Sequence, residues 1–412
     1  MRSGSRRRVP GTVWMLAATV VAGVAGYAMQ LSASARLDDP RLYVAFGTFW
    51  SAMYAMVALV SGVQNEVTRA VRPVADGEEP GGTRDLLVVG VVGAGIVLVA
   101  LVGAVVVWPH LLVPASWMLL AGWSVLAVAL LGGVMQGMAR WGSAAFLTVT
   151  DSGIRMVLVV TAVLLAASPV WLYGAIAAPM AVAVLVVAAV VWPRLRGQFV
   201  VDVGRTVLLR QVAGTVVASA SLGVLVSGLP AVMSATARDT DPQRLAELLM
   251  VTGLARAPLV VPVMAVQAIL LVRFRDSSTA ARRELRRVSA ALLVLTAVAT
   301  ALGAALGPWA LQTLTSGRYS IEPWFVGGTV AGAGALGVAV LVGAALLARS
   351  RHVAYVALWT VSALASVAIL LGPGPLGGRA VVAMLVGPVL GVVAAVVVNH
   401  RLSTRREQPA LR

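Results

Sequence analysis

The chain has 412 residues, of which 59% are hydrophobic and only 12% charged, with a formal net charge of +16; its mean hydropathy is +0.92. So little charge, spread among apolar runs of about 20 residues, excludes a soluble domain and specifies an all-α polytopic membrane protein. The lack of cysteine excludes disulfide and thiol chemistry, and the wide separation of His110, His352 and His400 argues against a histidine metal site.

Taken in order, the chain opens with the basic segment MRSGSRRRVP and an apolar run ending in Ala33-Ser34-Ala35. That ending imitates a signal-peptidase site, but the run is long for a signal peptide and further spans follow, so it is read as an uncleaved first span. Twelve spans are expected: 12–32, 42–63, 86–107, 112–136, 144–168, 171–191, 211–232, 245–271, 288–309, 324–348, 353–372 and 378–398. With Arg155 counted on the side where span five begins, alternate loops divide the arginines into 25 on one side and 6 on the other, and Arg256 lies inside a span. By the positive-inside rule both termini are cytoplasmic, in the cytoplasmic (inner) membrane. Every basic residue is Arg, and these lie mostly between apolar runs, where anionic headgroups account for them without nucleic acid. The segment Ser277–Val288 reads as a basic helix lying on the inner leaflet.

Span two, within Asp38–Pro73, has an echo in span eight, within Asp241–Arg275. Asp39-Pro40-Arg41-Leu42 opens the first and Asp241-Pro242-Gln243-Arg244-Leu245 the second. Aligning Leu42 with Leu245 places Val63-Gln64 on Val266-Gln267 and Arg72 on Arg275. An offset of about half the chain suits two six-span repeats, an N-lobe of residues 1–200 and a C-lobe of residues 201–412, pseudo-symmetric about a central cavity.

Candidate functional residues are polar groups that apolar spans do not ordinarily carry. Arg256, in LARAPLVVPVM, lies roughly 17 Å into span eight, near the midplane, beside Pro258 and Pro262. An arginine there serves either an anion in a cavity or a buried structural ion pair. Glu66 and Arg69, at i and i+3, make an interfacial salt bridge or a gate with a proton-coupling carboxylate. Asp151 and Arg155, at i and i+4, offer the same choice. Gln64 and Gln267 line a polar path or bond between helices. Trp50 and Tyr54 could stack on a sugar or simply pack. Gly332-Ala333-Gly334-Ala335-Leu336-Gly337 matches G-x-G-x-x-G but follows no strand, so it reads as close helix packing. No catalytic residue, metal ligand or cofactor motif emerges, and there is no Walker A sequence.

Four stretches carry a family likeness. LDDPRLYVAFGTFWSAMYAMVALVSGVQNEVTRAV resembles span two of the polysaccharide flippases in the multidrug/oligosaccharidyl-lipid/polysaccharide exporter superfamily, although Tyr43-Val44-Ala45-Phe46 replaces the family's Tyr-Gly. GGVMQGMARWGSAAFLTVTDSGIR is similar to its fourth-to-fifth span connection. DPQRLAELLMVTGLARAPLVVPVMAVQAILLVRF is similar to its span eight, and LGPWALQTLTSGRYSIEPW to the loop before span ten. The resemblance implies a non-enzymatic flippase working by alternating access on a polyprenyl-pyrophosphate-linked saccharide. Its other partners would be membrane lipids and glycan-assembly enzymes. It assigns Arg256 to the pyrophosphate, Arg36 and Arg41 to the outer mouth, and Arg69 and Arg72 to the inner one. The rival readings are a small-molecule or multidrug exporter of the same superfamily and a membrane enzyme of glycan assembly.

Overall fold

The computed structural model describes residues 11–75, 77–107, 112–165, 167–237, 240–256, 259, 278–349 and 351–407. Within them the chain forms helices α1 (Gly11–Arg36), α2 (Pro40–Ala70), α3 (Thr83–Val107), α4 (Leu112–Gly137), α5 (Trp141–Leu164) and α6 (Pro169–Leu195). There follow α7 (Arg205–Thr236), α8 (242–256), α9 (Ser278–Leu314), α10 (Pro323–Ala348), α11 (His352–Leu371) and α12 (Leu376–Glu407). Among the described residues, ten helices are long and apolar enough to cross a membrane. The protein is therefore a multi-pass membrane protein.

By contacts, the chain divides into two compact units, residues 1–32 with 60–216 and residues 33–59 with 217–412. In the first, α4 packs on α3, α5 and α6, and two-thirds of its apolar window is buried. Glycine lets neighbours approach α4 closely: a Cβ at Gly133 would stand 2.7 Å from Val67 Cγ1, and one at Gly137 would stand 2.7 Å from the Val71 carbonyl. In the second unit α10 is the buried centre, packed on α9, α11 and α12. A Cβ at Gly332 would meet Met384, and one at Gly334 would meet Thr296. The G-x-G-x-x-G match is thus a seam of close helix packing.

Two differences from the sequence reading have simple causes. The basic segment does not form a separate surface helix. It is the first turns of α9, a single helix of 37 residues, because no glycine or proline interrupts the sequence from Ser278 until Gly303. Second, α2 and α6 each run into a short strand. β1 (Val71–Pro73) pairs antiparallel with β2 (Phe199–Val201), Arg72 opposite Val200. Val71 and Phe199 are buried. The side chain of Arg72 grips both carboxylate oxygens of Glu78 at 2.6 and 2.7 Å and Asp202 at 2.6 Å. That engagement holds the Glu78 carboxyl down at about 2.

Asp-Pro begins α2 and α8 in the same way. Asp39 accepts from the Arg41 amide at 2.8 Å, and Asp241 from the Gln243 amide at 2.9 Å. Each aspartate is an N-cap and each proline occupies the first helical position, where no amide is needed. In the second unit the two starts share one ionic cluster. Arg318 bonds Asp38 and the Ala35 carbonyl. Gln243 donates to the Arg318 carbonyl at 2.9 Å, and Arg244 reaches Glu247 at 3.1 Å and Glu322 at 2.5 Å.

Candidate functional site

In the second unit, Arg256 is 6% exposed. One guanidinium nitrogen, Nη2, donates to the Leu225 carbonyl at 2.6 Å, while Nε is buried without a partner. No carboxylate is bonded to it among the described residues. The group borders a void of about 10 Å³ between Leu225 and Leu229 of α7, Leu336 of α10, Ser366 of α11, and Met384 and Pro388 of α12. That is room for about one water. A guanidinium in this setting has donors to spare, in a planar fork that suits an arriving anion.

The Leu225 carbonyl is available because α7 is irregular there. Val224–Gly228 is a π-turn between two α-helical segments, and Pro230 follows at once. Sequence reasoning passed over this feature, although a proline inside span seven was the signal for it.

Trp50 and Tyr54 also lie in the second unit, on α2. Their ring centroids are 4.8 Å apart, and the series continues through Phe46 at 5.7 Å from Trp50, Tyr43 at 6.2 Å from Phe46, and Tyr319 at 6.4 Å from Tyr43. Trp50 is buried and Tyr54 half-buried. The i, i+3, i+4 spacing stacks these rings down one helix face.

The other polar candidates belong to the first unit. Asp151 and Arg155 sit in the interior of α5 and pair at 2.5 Å, with Arg155 1% exposed. Gln64 lies against Gly132 of α4, 3.4 Å from where a Cβ would stand. Because α2 continues to Ala70, Glu66 and Arg69 are on the helix itself, paired at 2.8 Å with Arg69 exposed. Of the arginines assigned to the inner mouth, Arg72 is taken up by Glu78 and Asp202. Gln267, Pro258 and Pro262 lie outside the described residues.

No family model matches the chain. Over 409 residues it is 32% identical to an uncharacterised protein of Mycobacterium bovis, covering 95% of this chain and 90% of that one. Over 393 residues it is 30% identical to an uncharacterised protein of Mycobacterium tuberculosis, covering 93% of this chain and 90% of the other. Among solved structures it is similar to the inward-facing conformation of a multidrug resistance MATE family transporter of the MOP superfamily, with TM-score 0.64, 13% identity and coverage of 93% and 96%. It is also similar to the lipid II flippase MurJ in an inward closed conformation, with TM-score 0.65, 12% identity and coverage of 94% and 87%. These likenesses give the fold.

Proposed function

We propose that this chain, which belongs to the family of those mycobacterial proteins and has the fold of the MOP superfamily, is a flippase. Its substrate is a polyprenyl-(pyro)phosphate-linked oligosaccharide or polysaccharide precursor, carried across the cytoplasmic membrane by alternating access. The observation that carries this reading is Arg256: buried, bonded among the described residues only to a carbonyl, and therefore a net positive charge within a span. A pyrophosphate meets that charge with paired oxygens. The aromatic face of Trp50 and Tyr54 suits a sugar ring, while Gln64 and Gln267 suit its hydroxyls. Arg69 serves the inner rim. Glu66 and the Asp151–Arg155 pair are the coupling candidates. The two lobes are residues 1–200 and 201–412, with both termini cytoplasmic. Glycan-assembly enzymes supply the substrate and membrane lipid surrounds it. The reading involves no catalytic residue, cofactor or metal.

Export of small molecules is the second reading, favoured by the likeness to MATE transporters. Reconstitution decides between them. Proteoliposomes are given a fluorescent polyprenyl-pyrophosphate glycan, and its loss from one leaflet is followed. Wild-type protein is expected to flip it and Arg256→Ala to fail. A protein that expels cationic dyes and flips no lipid-linked glycan overturns the proposal.

A further inference from the structure

We infer that α7 contains a hinge at its π-turn, braced by side chains from two other helices, Arg256 of α8 and Ser51 of α2, and that the substrate's phosphate moves this hinge by drawing Arg256 away. The second clause rests on the flippase reading; the brace itself does not.

The hinge follows from the hydrogen bonds along VLVSGLPAV, residues 224–232. In a π-turn each carbonyl seeks the amide five residues on. For Leu225 that position is Pro230, which has no N–H. A buried carbonyl so orphaned is costly. Arg256 Nη2, 2.6 Å away, stands in for the missing amide. Farther along, α-helical pairing would join the Ala231 amide to the Ser227 carbonyl. Instead the Ser51 hydroxyl is interposed: it accepts from the Ala231 amide at 3.1 Å and donates to the Ser227 carbonyl. A side chain inserted into the ladder in this way is a recognised cause of a helix kink. Ser51 is 3% exposed, so its hydroxyl is committed to this bridge.

Close packing keeps α2 in place at the hinge. A Cβ at Gly223 would stand 2.8 Å from Ala58 Cβ and 2.9 Å from the Ala55 carbonyl, and one at Gly228 would stand 3.1 Å from Ala55 Cβ. The small residues Ser51, Ala55 and Ala58 of α2 are thus seated against the turn. Its geometry depends on two external donors, and one of them is the charge best suited to bind the substrate. When Arg256 turns to a phosphate, the Leu225 carbonyl loses its donor. Moving the turn back to α-helical register removes one residue from it and rotates the following segment, Leu229–Thr236, by about 100°.

The chain has no cysteine, so a Val217→Cys, Ala235→Cys pair can carry spin labels across the turn without further changes. Distance distributions are measured in nanodiscs with and without undecaprenyl pyrophosphate, whose binding is followed separately by titration calorimetry. Wild type should shift on adding the lipid. Arg256→Gln should show the shifted distribution without lipid and not respond to it. Ser51→Ala should move in the same direction while binding the lipid within about twofold of wild type, and should lower kcat severalfold with little change in KM. Pro230→Ala restores an amide for the Leu225 carbonyl, so adding it to Arg256→Gln should return the wild-type distribution. A simple packing defect would not be rescued in that way. If the lipid binds and neither it nor Arg256→Gln changes the distances, the hinge is wrong and the substrate reading stands. If the lipid does not bind, substrate control of the hinge fails with the substrate reading. The Arg256→Gln and Ser51→Ala distances, and the Pro230→Ala rescue, then still accept or reject the brace.

Discussion

Arg155 in the first unit and Arg256 in the second are both buried side chains of apolar helices, yet their charges are handled differently. Arg155 has Asp151 one turn away at 2.5 Å. Arg256 has a backbone carbonyl at 2.6 Å. An ion pair neutralises the charge locally, so Arg155 attracts an external anion weakly. A carbonyl dipole leaves most of the charge in place. Equal burial therefore does not mean equal function, and the partner decides which arginine can serve a ligand.

The difference between the two arginines is tested most severely at Asp151. Asp151→Ala leaves Arg155 buried without its carboxylate and should cost about 3–5 kcal/mol of stability, read as a fall in the thermal unfolding midpoint in detergent. Next, Arg256→Gln should lower flipping at least about tenfold, the equivalent of about 1.4 kcal/mol in the transport barrier. Its cost in stability should be smaller, about 1–3 kcal/mol for the Leu225 carbonyl left without its charged donor. If Asp151→Ala and Arg256→Gln destabilise alike, the distinction between the two arginines is lost. Replacing both members of the first pair, Asp151→Leu with Arg155→Met, should bring stability back to within about 1 kcal/mol of wild type. No such compensating partner exists for Arg256 among the described residues.

The smallest effects belong to ion pairs outside the apolar core. Arg69→Gln breaks the Glu66 bridge at an exposed helix end and should change stability by less than about 1 kcal/mol. The β1–β2 clasp gives a test by pH. The Glu78 carboxyl is held down at about 2, first by its bonds from Arg72 and then by the Ala75 amide. A depressed carboxylate contributes stability that is complete above its ordinary range and is lost as pH falls toward the folded value. Amide exchange in residues 71–75 and 199–202 should therefore stay slow under mild acid and rise only as pH approaches about 2. In Arg72→Gln that protection should already fail near about pH 4 to 5, in the ordinary carboxylate range.

The sequence by itself determined the membrane class, the placing of most spans and the Asp-Pro openings of α2 and α8. Apolar length and Asp-Pro capping are local properties, set by neighbours in the chain. Glu66–Arg69 and Asp151–Arg155 were legible for the same reason, since spacings of three and four bring side chains onto one helix face. The sequence also marked Arg256 as exceptional, because a charge in an apolar run stands out. Tertiary structure alone decided what Arg256 touches: a carbonyl that Pro230 has orphaned, 31 residues away. Ser51 carried no signal, since one serine among many small residues is ordinary until a broken helix is found beside it. The β1–β2 pairing was equally hidden, being three residues long and joining segments far apart in the chain. In each of these cases the deciding partner is remote in sequence, and only the packed helices bring it within hydrogen-bond reach.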